Sequence, residues 1–237
     1  MRSLSRRLMV LSSLLALIVF LPAMQTNRRA GKHMNDHFGG STLSSQWSVL
    51  HPELVNIDVS GGWLNLTALA SGPSASWYAD GEGPLVYKWV TGNFTVITRV
   101  RAYDPQNPSQ PPPPEYRLGG LSVRNPVDTP GQHSWAHVAV GGGDAAVPVA
   151  VEDKTTLASN SDLILYPVPA TDVEMRIQRR GARISLSYRS PGVSDWTLLR
   201  EHQHPELPPT VQVGLHVNSW DSPARAAASF DYIIFGK

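Results

Sequence analysis

The sequence predicts an all-β fold, a jelly-roll sandwich of two antiparallel sheets. Fourteen short runs of alternating apolar and polar residues follow one another along the chain. Gly, Pro, Asn and Asp separate them, as they separate strands. No window carries the apolar period of an amphipathic helix. So many short strands in about 200 residues exceed a small barrel and fit two packed sheets.

The first strands are placed at 47–49, 55–59, 63–68 and 85–90. The next, 94–102, holds Phe94, Val96, Thr98 and Val100 on one parity. "DPQNPSQPPPPEY", 104–116, follows. Its prolines cannot join a ladder, so it reads as a stiff surface loop, with a Pro-rich docking peptide as the alternative. In 118–124, Leu121 and Val123 face the core and send Ser122 and Arg124 to the other side. Trp135 and His137 share one face of 134–140. Runs at 147–152 and 163–166 lead to the most legible piece, "MRIQRRGARISLSYRSPGVSDW", 175–196. Met175 and Ile177, then Ile184, Leu186 and Tyr188, alternate with polar residues on either side of Arg180-Gly181. That is a hairpin of strands 173–179 and 183–189. Arg176, Arg180, Arg183 and Arg189 take the outward parity with Glu174. They read as a solvated face; attraction to an anionic polysaccharide is the sharper alternative. Trp196 should fold back over the hairpin after the Ser190-Pro191-Gly192 turn. Strands 197–201, 211–217 and 229–235 close the chain. Trp47, Trp63 and Trp196 are assigned to the core.

Residues 1–30 differ from the rest. Arg2, Arg6 and Arg7 precede an apolar run from Leu8 to Leu21, and Pro22 and Ala23 follow. This order is that of a secretory signal, and the run is shorter than a bilayer span. A retained N-terminal anchor is the alternative, since Arg28 and Arg29 follow. Either way the expectation is export, to the cell envelope or beyond it, with residues 31–237 forming one domain. The first thirty residues hold five arginines and no acid, so 15 Lys and Arg remain against 19 Asp and Glu, a net charge of −4. A net acidic domain argues against nucleic acid as a partner. Cysteine is absent, which removes disulfides, thiol chemistry and lipid-modified cysteine. A domain of this size can build a full core without them.

Several segments, in order, resemble one superfamily. "DHFGGSTLSSQWSV" is similar to the opening Asp-x-Phe, Leu and Trp of concanavalin A-like jelly rolls. "VTGNFTVITRVRA", "LGGLSVRN", the 175–199 hairpin, "VQVGLHVNS" and "AASFDYIIF" resemble later strands of the same domains. The resemblance covers about 36–237 and extends to domains that stand alone in exported bacterial proteins or are appended to β-xylosidase-like glycosidases. It implies the fold; the fold hosts lectins, glycosidases and binding modules alike. It also implies a structural calcium between the first and last strands, with Asp36 and Asp231 as its carboxylates.

The residues favour binding over catalysis. A glycosidase needs two carboxylates facing one groove. The Glu-x-Asp-x-x-Glu strand that resembling glucanases carry is not found. Glu152 and Asp153 are adjacent and point apart, and Asp80 and Glu82 lie in "YADGEGP", which reads as a loop. His202 and His204 lie in the polar "EHQHPELPP" loop without a third ligand in register. Aromatic rings beside hydrogen-bonding groups suit sugars, whose C–H faces stack on them. Trp77, Tyr87, Arg124, Trp135, His137 and Trp220 have this chemistry, and the resemblance implies that they line one groove and hold a glycan. The expected function is an exported carbohydrate-binding, lectin-like module. A glycoside hydrolase-like enzyme with loop-borne Asp80 or Glu82 is one alternative, and a structural envelope interaction protein is another.

Overall fold

The computed structural model describes residues 34–237, so the signal or anchor predicted for 1–30 lies outside the described residues. Fourteen strands form two seven-stranded antiparallel sheets, as the sequence predicts. The first sheet contains β1 (Ser48–Leu50), β4 (Leu85–Thr91), β13 (Thr210–Ser219), β6 (Arg117–Arg124), β7 (Trp135–Gly142), β8 (Val149–Leu157) and β9 (Asn160–Pro167), in that spatial order. The second contains β12 (Thr197–Gln203), β11 (Arg183–Arg189), β10 (Asp172–Arg180), β5 (Phe94–Tyr103), β14 (Ala227–Gly236), β3 (Trp63–Ala68) and β2 (Val55–Ser60).

Alternation explains the core. Val86, Leu121, Val123, Val138, Val213 and Leu215 leave the first sheet on one parity. They meet Leu66, Val96, Val100, Met175, Ile177 and Phe230 of the second. Each such side chain contributes about 1.5–3 kcal/mol on burial. The opposite parity of the first sheet is also buried, so β6 and β7 are covered along their whole length on both faces. Something besides the partner sheet must therefore cover that outer face.

The hairpin arginines have structural partners. Arg176 and Arg189 each stack 4.4 Å from the Trp196 ring, which does fold back over the hairpin. Arg189 also pairs with Glu174, and Arg183 lies 3.7 Å from Glu201. Gly181 turns the hairpin at φ 64°, a conformation that suits a residue without Cβ. Two core assignments need correction. Trp63 takes the outer parity of β3, half-buried beneath Arg99, and Trp196 is half-buried between its arginines. The "EHQHPELPP" segment is not all loop, since β12 runs through Gln203. His202 faces Asp153 at 2.8 Å, and His204 lies between Thr155 and Glu206. The 104–116 segment is a loop between β5 and β6, tied down where Arg101 donates to Pro108 O.

The ends of the described chain meet. Asp36 and Ile233 exchange backbone hydrogen bonds of 3.0 and 2.9 Å, and Phe235 N–H donates to Asn35 Oδ1 at 2.8 Å. The two carboxylates that the resemblance assigns to calcium both have protein partners. Asp36 accepts from Phe38 N–H and from Trp47 Nε1–H, so both its oxygens are engaged. Asp231 faces the Arg99 guanidinium at 3.4 Å. Among the described residues, no group of three or more His, Cys, Asp or Glu is arranged to hold a metal.

Candidate functional site

What covers the outer face of the first sheet is the β3–β4 connection, residues 69–84. It crosses the sheet as a strap. Near one end, Gly72 N–H donates to Ser219 O of β13 at 3.1 Å. Further on, Ala79 N–H donates to Ser161 Oγ of β9 at 2.9 Å. Asp80 accepts from Gly131 N–H at 2.8 Å and from the Ser159 hydroxyl. Two glycines allow the strap to fold tightly on itself. A Cβ at Gly81 would sit 1.9 Å from Pro73 O, and one at Gly83 would sit 2.8 Å from Trp77 Nε1.

Trp77 is the strap's plug. It is fully buried and lies edge-on to Trp135 at 5.3 Å and to His216 at 6.0 Å. Beneath it the sheet is polar. His137 and His216 lie ring to ring at 4.8 Å. His137 Nε2–H donates to Glu152 Oε1 at 2.7 Å, and Lys154 Nζ lies 3.0 Å from the same oxygen. Burial pushes both histidines below their usual range, His216 furthest, since His137 and Lys154 add to burial there and no carboxylate offsets it. Burial also works to raise the Glu152 carboxyl, but Lys154 and His137 outweigh it and hold it down to about 2. Both His216 ring nitrogens, His137 Nδ1, Glu152 Oε2, Ser122 Oγ and Asn218 Oδ1 have no hydrogen-bond partner in the protein.

The strap leaves a cavity on each side. One, of about 320 Å³, is lined by Ser76 and Tyr78 of the strap with Tyr116, Lys154, Asn218 and Trp220. Tyr78 and Trp220 meet edge-on at 5.6 Å. The other, of about 450 Å³, is bordered by His51, Asp80, Glu82, Asp128 and His133. There Arg124 is the hub. Its Nη2 lies 2.5 Å from both Glu82 and Asp128, and its Nη1 donates to Gln212 at 2.5 Å. Glu82 also faces His133 Nδ1 at 2.7 Å.

All six residues named from the sequence lie on, or over, this one face. Tyr87, Arg124, Trp135 and His137 project from neighbouring strands in β-register, Trp77 descends from the strap, and Trp220 follows β13. They do not line an open groove, and that expectation is corrected. Trp77, Arg124, Trp135 and His137 are fully buried because the strap closes over them. Trp220 lines the smaller cavity, and Tyr87 stands half-buried beside Trp89. Sequence reasoning missed Tyr116, Lys154, His216 and Asn218. His216 and Asn218 were available from parity, opposite Val211, Val213, Leu215 and Val217. Lys154 lies beyond the predicted end of its strand at 152.

No protein-family model matches the chain, and no curated protein matches it. Solved structures do. A xylan β-1,4-xylosidase from Bacillus halodurans superposes with a TM-score of 0.63 at 15% identity, over 86% of this chain and 39% of that one. A GH43 protein from Bacillus licheniformis gives 0.67 at 13%, over 91% and 40%. Basic winged bean lectin gives 0.53 at 12%, over 85% and 95%. The chain thus spans about two fifths of the two bacterial proteins and nearly the whole lectin. Sheet order, register and these superpositions give one conclusion: the fold is a concanavalin A-like β-sandwich.

Proposed function

We propose that this chain is an exported carbohydrate-binding, lectin-like module without hydrolase machinery of its own. The observation that carries the proposal is the smaller cavity. Its aromatic walls, Tyr78, Tyr116 and Trp220, stand over a polar floor of Lys154 and Asn218. Its volume falls within the ~300–1,000 Å³ range of small-ligand sites, and the mixture of rings and few polar groups suits a sugar. The likeness in fold to a xylosidase and to a lectin agrees with this reading. Export rests on the order of residues 1–23, and N-terminal sequencing of protein recovered from the envelope tests it. A protein that stays cytoplasmic and begins at Met1 would overturn export.

The binding test is retention of the protein on insoluble xylan, cellulose and β-1,3-glucan, with and without Trp220→Ala. Trp220 is half-buried, so truncation is expected to leave melting nearly unchanged while binding weakens by ~1–3 kcal/mol. Equal retention of the variant and the parent would end the proposal.

The enzyme reading draws on the larger cavity, which brings Asp80, Glu82 and Asp128 together. Those groups are already committed. Asp80 caps Gly131 and Ser159, and Glu82 and Asp128 share Arg124. A general acid must carry and release a proton, a role ill suited to a carboxylate held by a guanidinium. Release of reducing sugar that is lost in Glu82→Gln but kept in Trp220→Ala would reverse the order of the two readings.

A further inference from the structure

Resting on that glycan-binding reading, we infer that the smaller cavity seats the end of a neutral glycan chain rather than an internal stretch of one. The first argument is the strap. A polymer lying across this sheet would have to occupy the line that residues 72–80 occupy, where Trp77 is packed against Trp135 and His216. What remains is a short trough between the strap and the loops at the strand ends. A ring contact bounds that trough. Tyr78 of the strap meets Trp220 of the opposite wall edge-on at 5.6 Å. That wall is itself fixed, because Trp220 N–H and Asn218 Nδ2–H both donate to Tyr116 O at 3.2 Å. Leu163 of edge strand β9 completes the lining. With the strap across the sheet and Tyr78 against Trp220, the space suits a chain end and not a chain passing through.

The second argument is the floor. Asn218 is 1% exposed, lines the cavity, and keeps Oδ1 without a partner. Lys154 is 3% exposed and lines it too; an ammonium has three N–H donors, and Glu152 takes one. A buried acceptor beside a buried donor matches hydroxyls, each of which can donate and accept. The charge pairing favours a neutral sugar. The Lys154 charge is already matched by Glu152 directly beneath it. Glu152 also accepts from His137, so the charges beneath the cavity are paired among themselves. A uronic acid brought into this cavity would have to compete with Glu152 for the Lys154 ammonium.

The test uses the full chain and the polysaccharide of the panel that retains it best. That polymer is cut by partial hydrolysis into fractions of decreasing length, and protein bound at saturation is measured per gram. For a chain-end seat, doubling the ends per gram doubles the protein bound. Unchanged binding per gram overturns the chain-end inference and leaves glycan binding standing. Retention on no polysaccharide in the panel overturns both. Competition then separates the charge class. The free neutral monosaccharide of that polymer should displace the protein, and its uronic acid should not. Equal displacement by both overturns the neutral assignment.

Discussion

The buried His137–Glu152–Lys154 group, with His216 against it, sets how this protein responds to acid. Burial lowers both histidines from their ordinary value of 6.5, so the folded state resists protons that the unfolded chain accepts. Their contribution is complete above about 6.5 and is lost as the pH falls below it, by about 1.4 kcal/mol per pH unit for each proton excluded. Glu152 acts in the same direction at lower pH. Its carboxyl falls from 4.5 to about 2, so its contribution is present above 4.5 and lost as the pH drops toward 2. Melting temperature should therefore fall steadily from pH 7 to pH 4. His216→Gln should flatten the part of that fall just below 6.5; an unaltered slope would show that His216 titrates normally. Glu152→Gln leaves Lys154 buried without its counter-charge and should cost about 3–5 kcal/mol in denaturant unfolding at pH 7.

At the scale of the element, the strap gives two tryptophans opposite fates. Trp77→Ala empties the space over Trp135 and His216 and should cost about 3–5 kcal/mol, whereas Trp220→Ala should cost little stability and much binding. Thermal melts of the two variants, side by side, check the contrast. The strands were legible in the sequence because alternation is a local property. Leu121, Val123, Trp135 and His137 each reveal their face within their own strand, and every predicted run overlaps an observed one. The strap was not legible. "ALASGPSASWYADGEGP" has no period, and its position depends on partners far along the chain, Ser219 near one end and Ser161 near the other. Trp77 therefore looked like an exposed loop ring. Parity placed Trp135 with His137 and turned Arg124 from the core, and the resemblance supplied the rest of the grouping; neither held information about what lies on top of them. Lys154 was hidden for a different reason, because β8 continues through charged residues that resemble a turn.

For the whole molecule, the first and last described segments are tied by hydrogen bonds between Asn35, Asp36, Ile233 and Phe235. Asp36 accepts from two N–H donors, and Asp231 has Arg99. With these partners in place, chelator should leave the melting temperature unchanged and added calcium should not raise it; a calcium-dependent rise would assign the two carboxylates to a cation instead. The same first contact has a consequence for chain connectivity. Since Asp36 is bonded to Ile233 and Asn35 to Phe235, a short peptide could join the last strand to the first without distorting either. New ends could then be opened at Gln106–Ser109, exposed residues outside the two sheets whose pairing is confined to their own loop and a bond from Arg101. Such a permuted chain would begin in the middle of the present one and still bring the strap over the same face. The order in which the strands are strung together is, to that extent, separable from the pairing that makes the site.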